Sequence, residues 1–132
     1  MLSRTALHAV KAVVALAERP DENQGAAAIA ERVGAPPNYL GKLLQAMVQQ
    51  GLLTSHKGMG GGFRLARRPD EITVYDVVEP IDRVSRWEGC FLGQGACSPE
   101  CPCAMHDRAV IVRAGYLSLL KGSRIADLLR RN

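Results

Sequence analysis

Apolar positions recur at helical spacing in three consecutive segments at the start of the chain. Apolar side chains separated by three or four residues lie on one face of a helix, so each segment has one side to bury. The predicted helices are Thr5–Glu18, Ala26–Val33 and Pro37 to about Gln50. Gly34 lies between the last two, and glycine commonly ends a helix in the left-handed conformation. Residues 26–50 therefore predict a helix-turn-helix, a pattern shared by DNA-binding motifs and by any antiparallel helix pair.

The third predicted helix has a polar face opposite its apolar one. Leucine, methionine and valine occupy positions 40, 43, 44, 47 and 48, which leaves four residues on or near the exposed side. They are Asn38, Tyr39, Lys42 and Gln45. In a DNA-binding helix-turn-helix, the second helix enters the major groove with its N-terminal residues. If the segment binds DNA, these four side chains are the expected contacts to the bases.

A glycine-rich segment with cationic flanks follows the third helix. Leu52–Thr54 predicts the start of a strand, and four glycines lie within positions 58–62, at the tip of a predicted hairpin. Glycine permits positive φ and lets backbone approach a ligand closely. Beside a helix-turn-helix such a hairpin is typical of a wing, which would place His56, Lys57 and Arg64 near phosphates or the minor groove. A nucleotide-binding phosphate loop is the weaker alternative, because the required lysine followed by serine or threonine is missing.

Beyond the hairpin the pattern predicts two short elements and then a long helix. Ile72–Val74 is expected to form a return strand, and Tyr75 to about Arg83 a short helix. Further on, apolar side chains recur at steps of four and three residues in a heptad-like stripe. The stripe comprises Met105, Ala109, Val112, Tyr116 and Leu119. A lone helix beyond a small domain must bury such a stripe, and a second protomer is the expected partner. The helix is expected to end at Gly122, after which Ser123 would cap a last short helix.

Length and composition restrict the class of protein. The chain has 132 residues, of which 47% are hydrophobic, enough for one small domain with a core, or for such a domain with an appended arm. No apolar run approaches the roughly 20 residues needed to cross a bilayer, and the first residues lack the long uncharged stretch of a secretory signal. A cytoplasmic protein that does not bind a membrane is therefore expected.

The positive charge is concentrated in the first half of the chain. Residues 1–70 have nine basic and five acidic side chains, which account for the whole net charge of +4. Within 31–68, six basic residues oppose the single acid Glu31. These basic residues are Arg32, Lys42, Lys57, Arg64, Arg67 and Arg68. Such a block indicates either a polyanionic partner, such as DNA, or an ordinary solvated surface.

All four cysteines lie between positions 90 and 103, and a histidine follows three residues later. The spacing is C-x6-C-x3-C-x-C-x2-H, formed by Cys90, Cys97, Cys101, Cys103 and His106. Clustered cysteines favour a metal or redox site over a disulfide framework, which spreads its cysteines along the chain. Thiolates bind iron–sulfur clusters, zinc and copper(I). The single-residue gap fits a structural zinc site poorly, and a thiol–disulfide switch without metal is the third alternative.

Four sequence features follow one another along the chain and together carry a resemblance to a known family. They are Tyr39-Leu40 in the third helix, the helix exit Gly51-Leu52-Leu53, the wing KGMGGGFRL at 57–65, and the cysteine cluster before a long helix. Together they resemble the IscR/NsrR-type winged-helix regulators of bacteria, a group with RirA-like and CymR-like members. The resemblance implies a fold that is mainly α with a small β-hairpin, namely a winged helix-turn-helix domain and a long C-terminal dimerisation helix.

The resemblance also implies three parts and a function. A DNA-binding domain is expected at 1–83, a cysteine-rich cluster-binding loop at 84–106, and a dimerisation helix with a short final helix at 107–132. Members of this group are homodimers that bind partly palindromic operators in double-stranded DNA, and in many of them the state of an iron–sulfur cluster changes the DNA affinity. The chain is therefore expected to be a transcriptional regulator that senses iron, redox or nitric oxide status, and not an enzyme.

Carried over residue by residue, the resemblance implies Cys90, Cys97 and Cys103 as cluster ligands. Either His106 or Cys101 would be the fourth ligand, with a 2Fe–2S cluster favoured and a 4Fe–4S cluster as the alternative. The first cysteine gap is one residue longer than the group's usual spacing, and Cys101 is additional. Some relatives with a 4Fe–4S cluster supply an acidic ligand from the first helix of the other subunit. That position aligns near Leu7 of this chain, which cannot be a ligand, and the neighbouring His8 could be one only in a different register. Many also have an acidic residue in the recognition helix where this chain has Gly41, which leaves the operator sequence open.

Two other kinds of function remain open from the sequence. A winged-helix regulator without a cluster would use zinc, thiol chemistry or a protein partner, and its DNA binding would not need all four cysteines. A small iron–sulfur redox protein would explain the cysteines but leave the wing and the basic block unexplained. No Ser/His/Asp or paired-carboxylate constellation stands out in the sequence, so no catalytic residue is predicted.

Overall fold

The computed structural model describes residues 1–93, 95, 100 and 103–129. Within this part the chain forms six α-helices and one two-stranded antiparallel sheet. In chain order the elements are α1 (Arg4–Ala17), α2 (Ala26–Val33), α3 (Pro37–Gln49), β1 (Leu53–His56), β2 (Gly62–Leu65), α4 (Val74–Asp82), α5 (His106–Gly122) and α6 (Ile125–Leu128). Short 3-10 helices at Pro69–Glu71 and Val84–Glu88 precede and follow α4. The architecture is mainly helical with a small hairpin, as the sequence predicted.

Helix α1 is the centre of the fold. Its Ser3 N-cap accepts a hydrogen bond from the Ala6 amide at 3.1 Å, which satisfies one of the open donors at the helix start. The buried side of α1 is rich in alanine, and Ala6, Ala9 and Ala12 are fully buried. Small side chains permit close approach of neighbouring helices, and α1 packs against α2, α3, α4 and α6 and against the hairpin.

The helix-turn-helix forms where the sequence predicted it. Gly34 ends α2 in the left-handed conformation with φ of 76°, and its amide donates to the Ala30 carbonyl at 2.9 Å. Pro36 and Pro37 then start α3, where the fixed φ of proline suits the first turn. The buried side of α3 contains Leu40, Leu43, Leu44 and Met47. The opposite side of α3 is therefore left to solvent.

Strands β1 and β2 form the hairpin, with Leu53 opposite Leu65 and His56 opposite Gly62. The loop before α2 adds a third extended segment, because Gln24 exchanges both backbone hydrogen bonds with Phe63 at 2.9 and 2.8 Å. Phe63 is buried in the common core. The hairpin is thus attached to the helices along its second strand.

The prediction of a return strand at Ile72–Val74 is wrong. The segment makes a single bridge, between Thr73 and Arg124, and α4 begins at once because Thr73 and Asp76 cap each other's backbone at 3.0 Å. The carbonyl of Ser123 accepts from the Val74 amide at 2.8 Å. Residue 72 is extended because it pairs with the end of the chain rather than with the wing.

The predicted caps and bounds at the end of the chain need one correction. Helix α5 ends at Gly122 as expected, but Arg124 rather than Ser123 is the N-cap of α6. The Arg124 amide donates to the Asp127 carboxylate at 2.9 Å. Ile125, which follows, is fully buried in the core of the winged domain.

The predicted stripe on α5 is divided between two environments. Tyr116 is buried and, with Leu120, packs into the protein's own core. Val112 and Leu119 are 69% and 55% exposed. The stripe therefore has two surroundings. One edge of α5 packs on α4, and the other edge is exposed.

None of the helices among the described residues is long and apolar enough to cross a membrane.

Candidate nucleic-acid interface and cysteine loop

The outer side of α3 presents three of the four residues expected there. Asn38, Lys42 and Gln45 are exposed, at successive turns of the helix. No side chain caps the start of α3, and its first turn contains no acidic residue. The N-terminal end of α3 is therefore polar, with open backbone donors and a positive dipole end, which suits an anionic partner.

The fourth residue, Tyr39, is half-buried and faces α1. Its hydroxyl donates to Thr5 Oγ1 at 3.2 Å and lies 3.2 Å from Nδ1 of His8. The rings of Tyr39 and His8 meet edge to face, with centroids 5.5 Å apart and planes at 72°. The sequence pattern placed Tyr39 near the exposed face, but its hydroxyl has partners within the protein.

The wing presents its cations at different depths. His56 and Lys57 are exposed, and Met59 at the tip is fully exposed. Arg64 is half-buried, and its Nε atom lies inside the fold without a hydrogen-bond partner among the described residues. Lys57 is therefore the cation of the wing that reaches solvent most freely.

Glycine is required in the wing by close backbone contacts. A Cβ atom on Gly61 would lie 2.2 Å from the His56 carbonyl oxygen. Gly62 has φ of +133°, and its Cβ would lie 2.6 Å from the carbonyl of Gln24. The sequence predicted glycine here for a tight turn. The structure gives a further reason, because the backbone of the loop before α2 lies directly against Gly62.

Two residues missed by sequence reasoning hold the wing in place. The Asn23 side chain donates to the Gly60 carbonyl at 3.0 Å. Gln24 is buried, donates to the Ala15 carbonyl at 3.1 Å, and accepts from Arg32 at 2.7 Å. In the sequence this pair belongs to a polar turn, and its role depends on a wing that is distant along the chain.

Ion pairs divide the basic block into two groups. Arg32 pairs with Glu18 at 2.6 Å, Arg68 with Asp70 at 2.6 Å, and Arg67 with Asp76 at 3.9 Å. The other three cations form no ion pair within the described part of the chain. They are Lys42, Lys57 and Arg64. Within the basic block, the cations without an acidic partner among the described residues are thus those of α3 and the wing, which favours a polyanionic partner over a solvated surface.

The structure describes three of the five candidate cysteine-loop ligands. Cys90, Cys103 and His106 are half-buried, and the His106 amide donates to the Cys103 carbonyl at 3.0 Å where α5 begins. Cys97 and Cys101 lie outside the described residues. Among the residues that are described, no three histidine, cysteine or acidic side chains are grouped closely enough to hold a metal ion. The ligand set therefore stays a prediction.

A cavity of about 580 Å³ lies between the start of the cysteine loop and α5. Cys90 lines it together with apolar side chains, and three arginines also line it. The arginines are Arg86, Arg108 and Arg113. The cavity beside Cys90 therefore combines apolar side chains with three cationic ones.

Comparison with known proteins identifies the group to which the chain is related. Residues 2–131 match the family model described as "Rrf2: Iron-dependent Transcriptional regulator". The chain is 32% identical over 127 residues to the HTH-type transcriptional regulator IscR of Aliivibrio salmonicida. The aligned region covers 96% of this chain and 69% of that protein. These matches confirm the resemblance drawn from the sequence, and the family consists of transcriptional regulators rather than enzymes.

Solved structures of similar shape confirm the fold. IscR of T. potens superposes with a TM-score of 0.79 at 24% identity, covering 98% of this chain and 86% of that one. CymR, the global cysteine regulator of B. subtilis, superposes with a TM-score of 0.76 at 20% identity, covering 100% of this chain and 98% of that one.

Proposed function

Because the chain belongs to the Rrf2 family of transcriptional regulators, we propose that it is a homodimeric, cytoplasmic DNA-binding regulator whose DNA affinity is set by an iron–sulfur cluster. One observation supports the DNA-binding part above all others. Lys42, Lys57 and Arg64, the cations of α3 and the wing, form no ion pair among the described residues, while their basic neighbours are paired.

The proposed DNA contacts follow from exposure and position. Asn38, Lys42 and Gln45 lie on the outer side of α3 and would face the major groove. The wing residues His56, Lys57 and Arg64 would lie beside phosphates or the minor groove. Each phosphate contact releases a counterion, so the DNA affinity should fall steeply as the salt concentration rises.

The dimer is proposed from the open edge of α5. Ile111, Val112 and Leu119 are between 55% and 71% exposed, although all three are large apolar side chains. We propose that a second copy of α5 covers them; Val112 and Leu119 belong to the stripe predicted from the sequence, and Ile111 is added from its exposure in the structure. Two protomers related by a twofold axis would bind two half-sites of a partly palindromic operator.

The proposed cluster ligands are Cys90, Cys97 and Cys103, with His106 or Cys101 as the fourth. The described members suit a cluster in chemistry, since Cys90 is a half-buried thiol that lines the same cavity as three arginines, whose charges would balance those of thiolate ligands. Bound there, a 2Fe–2S cluster, or a 4Fe–4S cluster as the alternative, would supply a centre that changes with oxidation, nitric oxide or iron supply. His106 links the cysteine loop to the start of α5, where its amide donates to the Cys103 carbonyl.

A route from the loop to the DNA-binding surface is available through α5. Its far end continues into α6, where Ile125 is fully buried in the core and Val74 bonds to Ser123. A change at the start of α5 would therefore be transmitted to the winged domain as a whole. By linkage, the change in DNA affinity cannot exceed the cluster's difference in affinity for the two conformations.

The cluster is tested by absorption spectroscopy of protein purified without oxygen, before and after reconstitution with iron and sulfide. We expect visible bands that bleach in air or with nitric oxide. His106→Ala and Cys101→Ala form a matched pair, and the variant that alters the bands identifies the fourth ligand. A protein that stays colourless after reconstitution contradicts the cluster and leaves zinc or thiol chemistry for the cysteines.

DNA binding is tested with a duplex selected from a random pool by the wild-type protein. Lys57→Ala should weaken binding and reduce its salt dependence, because one phosphate contact is lost. The control, Arg19→Ala, removes an exposed cation that pairs with Glu22 at 3.9 Å and should leave both unchanged. Cys97→Ala should change the affinity for this duplex; equal affinity with and without the cluster contradicts the switch.

A further inference from the structure

We infer that Tyr39 is a positioning residue for DNA recognition: Thr5 and His8 of α1 hold its hydroxyl, and the held ring sets the orientation of the first turn of α3. This inference rests on the proposed DNA-binding function and deepens it. It assigns Tyr39 a role different from that of its exposed neighbours on α3, which would contact the bases.

The hydrogen bonds around the hydroxyl are complete without DNA. A phenol has one proton, and Tyr39 donates it to Thr5 Oγ1 at 3.2 Å. The phenolic oxygen can then accept from Nδ1 of His8, also at 3.2 Å. Both partners come from α1, three residues apart, so they lie on the same face of that helix. Two bonds and an edge-to-face ring contact therefore fix the hydroxyl and the ring plane together.

The first turn of α3 needs such an anchor because it has few others. Pro36 and Pro37 start the helix, and no side chain caps it. The fully buried residues of α3 begin only at Leu40. Before that position, Tyr39 is the side chain that the described structure shows bonded to another element. In a helix-turn-helix this N-terminal turn is the part that enters the groove, so its orientation decides which base contacts form.

The test is a double-mutant cycle on Tyr39→Phe and Thr5→Val, measured by fluorescence anisotropy with the selected duplex and with a scrambled duplex. Tyr39→Phe should weaken binding to the selected duplex about threefold to tenfold, the range of one hydrogen bond. Thr5→Val, on α1, should have a similar effect, and the double variant should be no weaker than Tyr39→Phe alone. Binding to the scrambled duplex and the salt dependence should not change, because no phosphate contact is lost.

Thr5→Ser is the control that keeps the acceptor, and it should retain wild-type affinity. The same melting temperature for all variants would separate positioning from loss of folding. A result in which Tyr39→Phe weakens binding but Thr5→Val does not, or in which the two effects add, overturns the inference, because the hydroxyl then acts independently of Thr5. Failure of the wild-type protein to prefer the selected duplex overturns the proposed function itself, and the inference with it.

Discussion

At the tip of the wing, two stretches of backbone lie so close together that a single methyl group does not fit between them. The contact joins Gly62 to the carbonyl of Gln24. Gln24 in turn is fixed by side-chain bonds to Ala15 and Arg32. The position of the wing therefore depends on a glycine and a buried amide, neither of which has a charge to offer DNA. The residues that place the wing therefore differ from the residues proposed to contact DNA.

Replacing Gly62 by alanine should destabilise the protein by about 3 kcal/mol, because the new Cβ meets backbone and φ is positive. The matched control is Gly58→Ala, where φ is +88° but the Cβ would meet nothing within 4 Å. Backbone strain alone should then cost about 1 kcal/mol. Urea unfolding of both variants measures the two free energies. Equal losses would show that the loop before α2 does not restrict the wing.

At the scale of elements, a hydrogen-bonded carboxylate joins α4 to the chain that leads into the cysteine loop. Glu79 accepts from the Ser85 amide at 3.0 Å and from the Ser85 hydroxyl. Partial burial raises the pKa of Glu79, but hydrogen bonds from Ser85, Val84 and Tyr75 outweigh it and lower the pKa below its ordinary 4.5. The folded state therefore prefers the charged carboxylate.

This preference predicts a pH dependence for Ser85→Ala. A lowered pKa in the folded state adds stability above the unfolded pKa, and that stability is lost as the pH falls through the folded pKa. Ser85→Ala should remove part of it, so the variant should be less stable than wild type at neutral pH. The difference should narrow as the pH falls below 4.5, the ordinary pKa of Glu79. Denaturant unfolding at a series of pH values measures it, and a constant difference would contradict the role of Glu79.

The sequence pattern correctly predicted those elements whose ends are set by the backbone preferences of residues within them. Gly34 and Pro37 mark their helix boundaries through backbone preferences that belong to the residues themselves. The predicted return strand failed because a distant segment decides the structure there, and Ile72 is extended because the end of the chain pairs with it. The contacts of Tyr39 with α1, which leave it half-buried, also depend on a segment that is distant along the chain. The stripe on α5 was recognised, but not its division, since periodicity does not say which edge faces the protein's own core.

At the scale of the molecule, the winged domain and the long helix are one packed body within the described residues. The core that contains α1 also contains Tyr116 and Leu120 of α5 and Ile125 of α6. Such a body has little freedom to bend between its ends, because packed cores deform poorly. In the proposed dimer, a signal at the cysteine loop would therefore act by shifting one protomer against the other rather than by bending a protomer.

If a signal shifts one protomer against the other, the proposed dimer contact on α5 is the surface through which it acts. Ile111→Lys tests this contact. Ile111 is 71% exposed, so lysine should be tolerated in the isolated protomer but disfavoured inside an apolar contact between two copies. We expect the dimer dissociation constant to rise about 100-fold or more, as one buried and unpaired charge costs about 3 kcal/mol. Analytical ultracentrifugation over a range of concentrations measures the constant, and circular dichroism checks the fold.

The matched control is Val110→Lys. Val110 is the neighbouring residue, 38% exposed, but it lies about 100° round the helix from Ile111 and farther from the edge formed with Val112 and Leu119. We expect its dimer constant to stay within about threefold of wild type, the range usual for a surface substitution. Ile111→Lys should also lose the preference for a palindromic duplex over a single half-site, because paired half-sites need paired protomers. A wild-type monomer, or an Ile111→Lys dimer as tight as wild type, contradicts the proposed α5 contact.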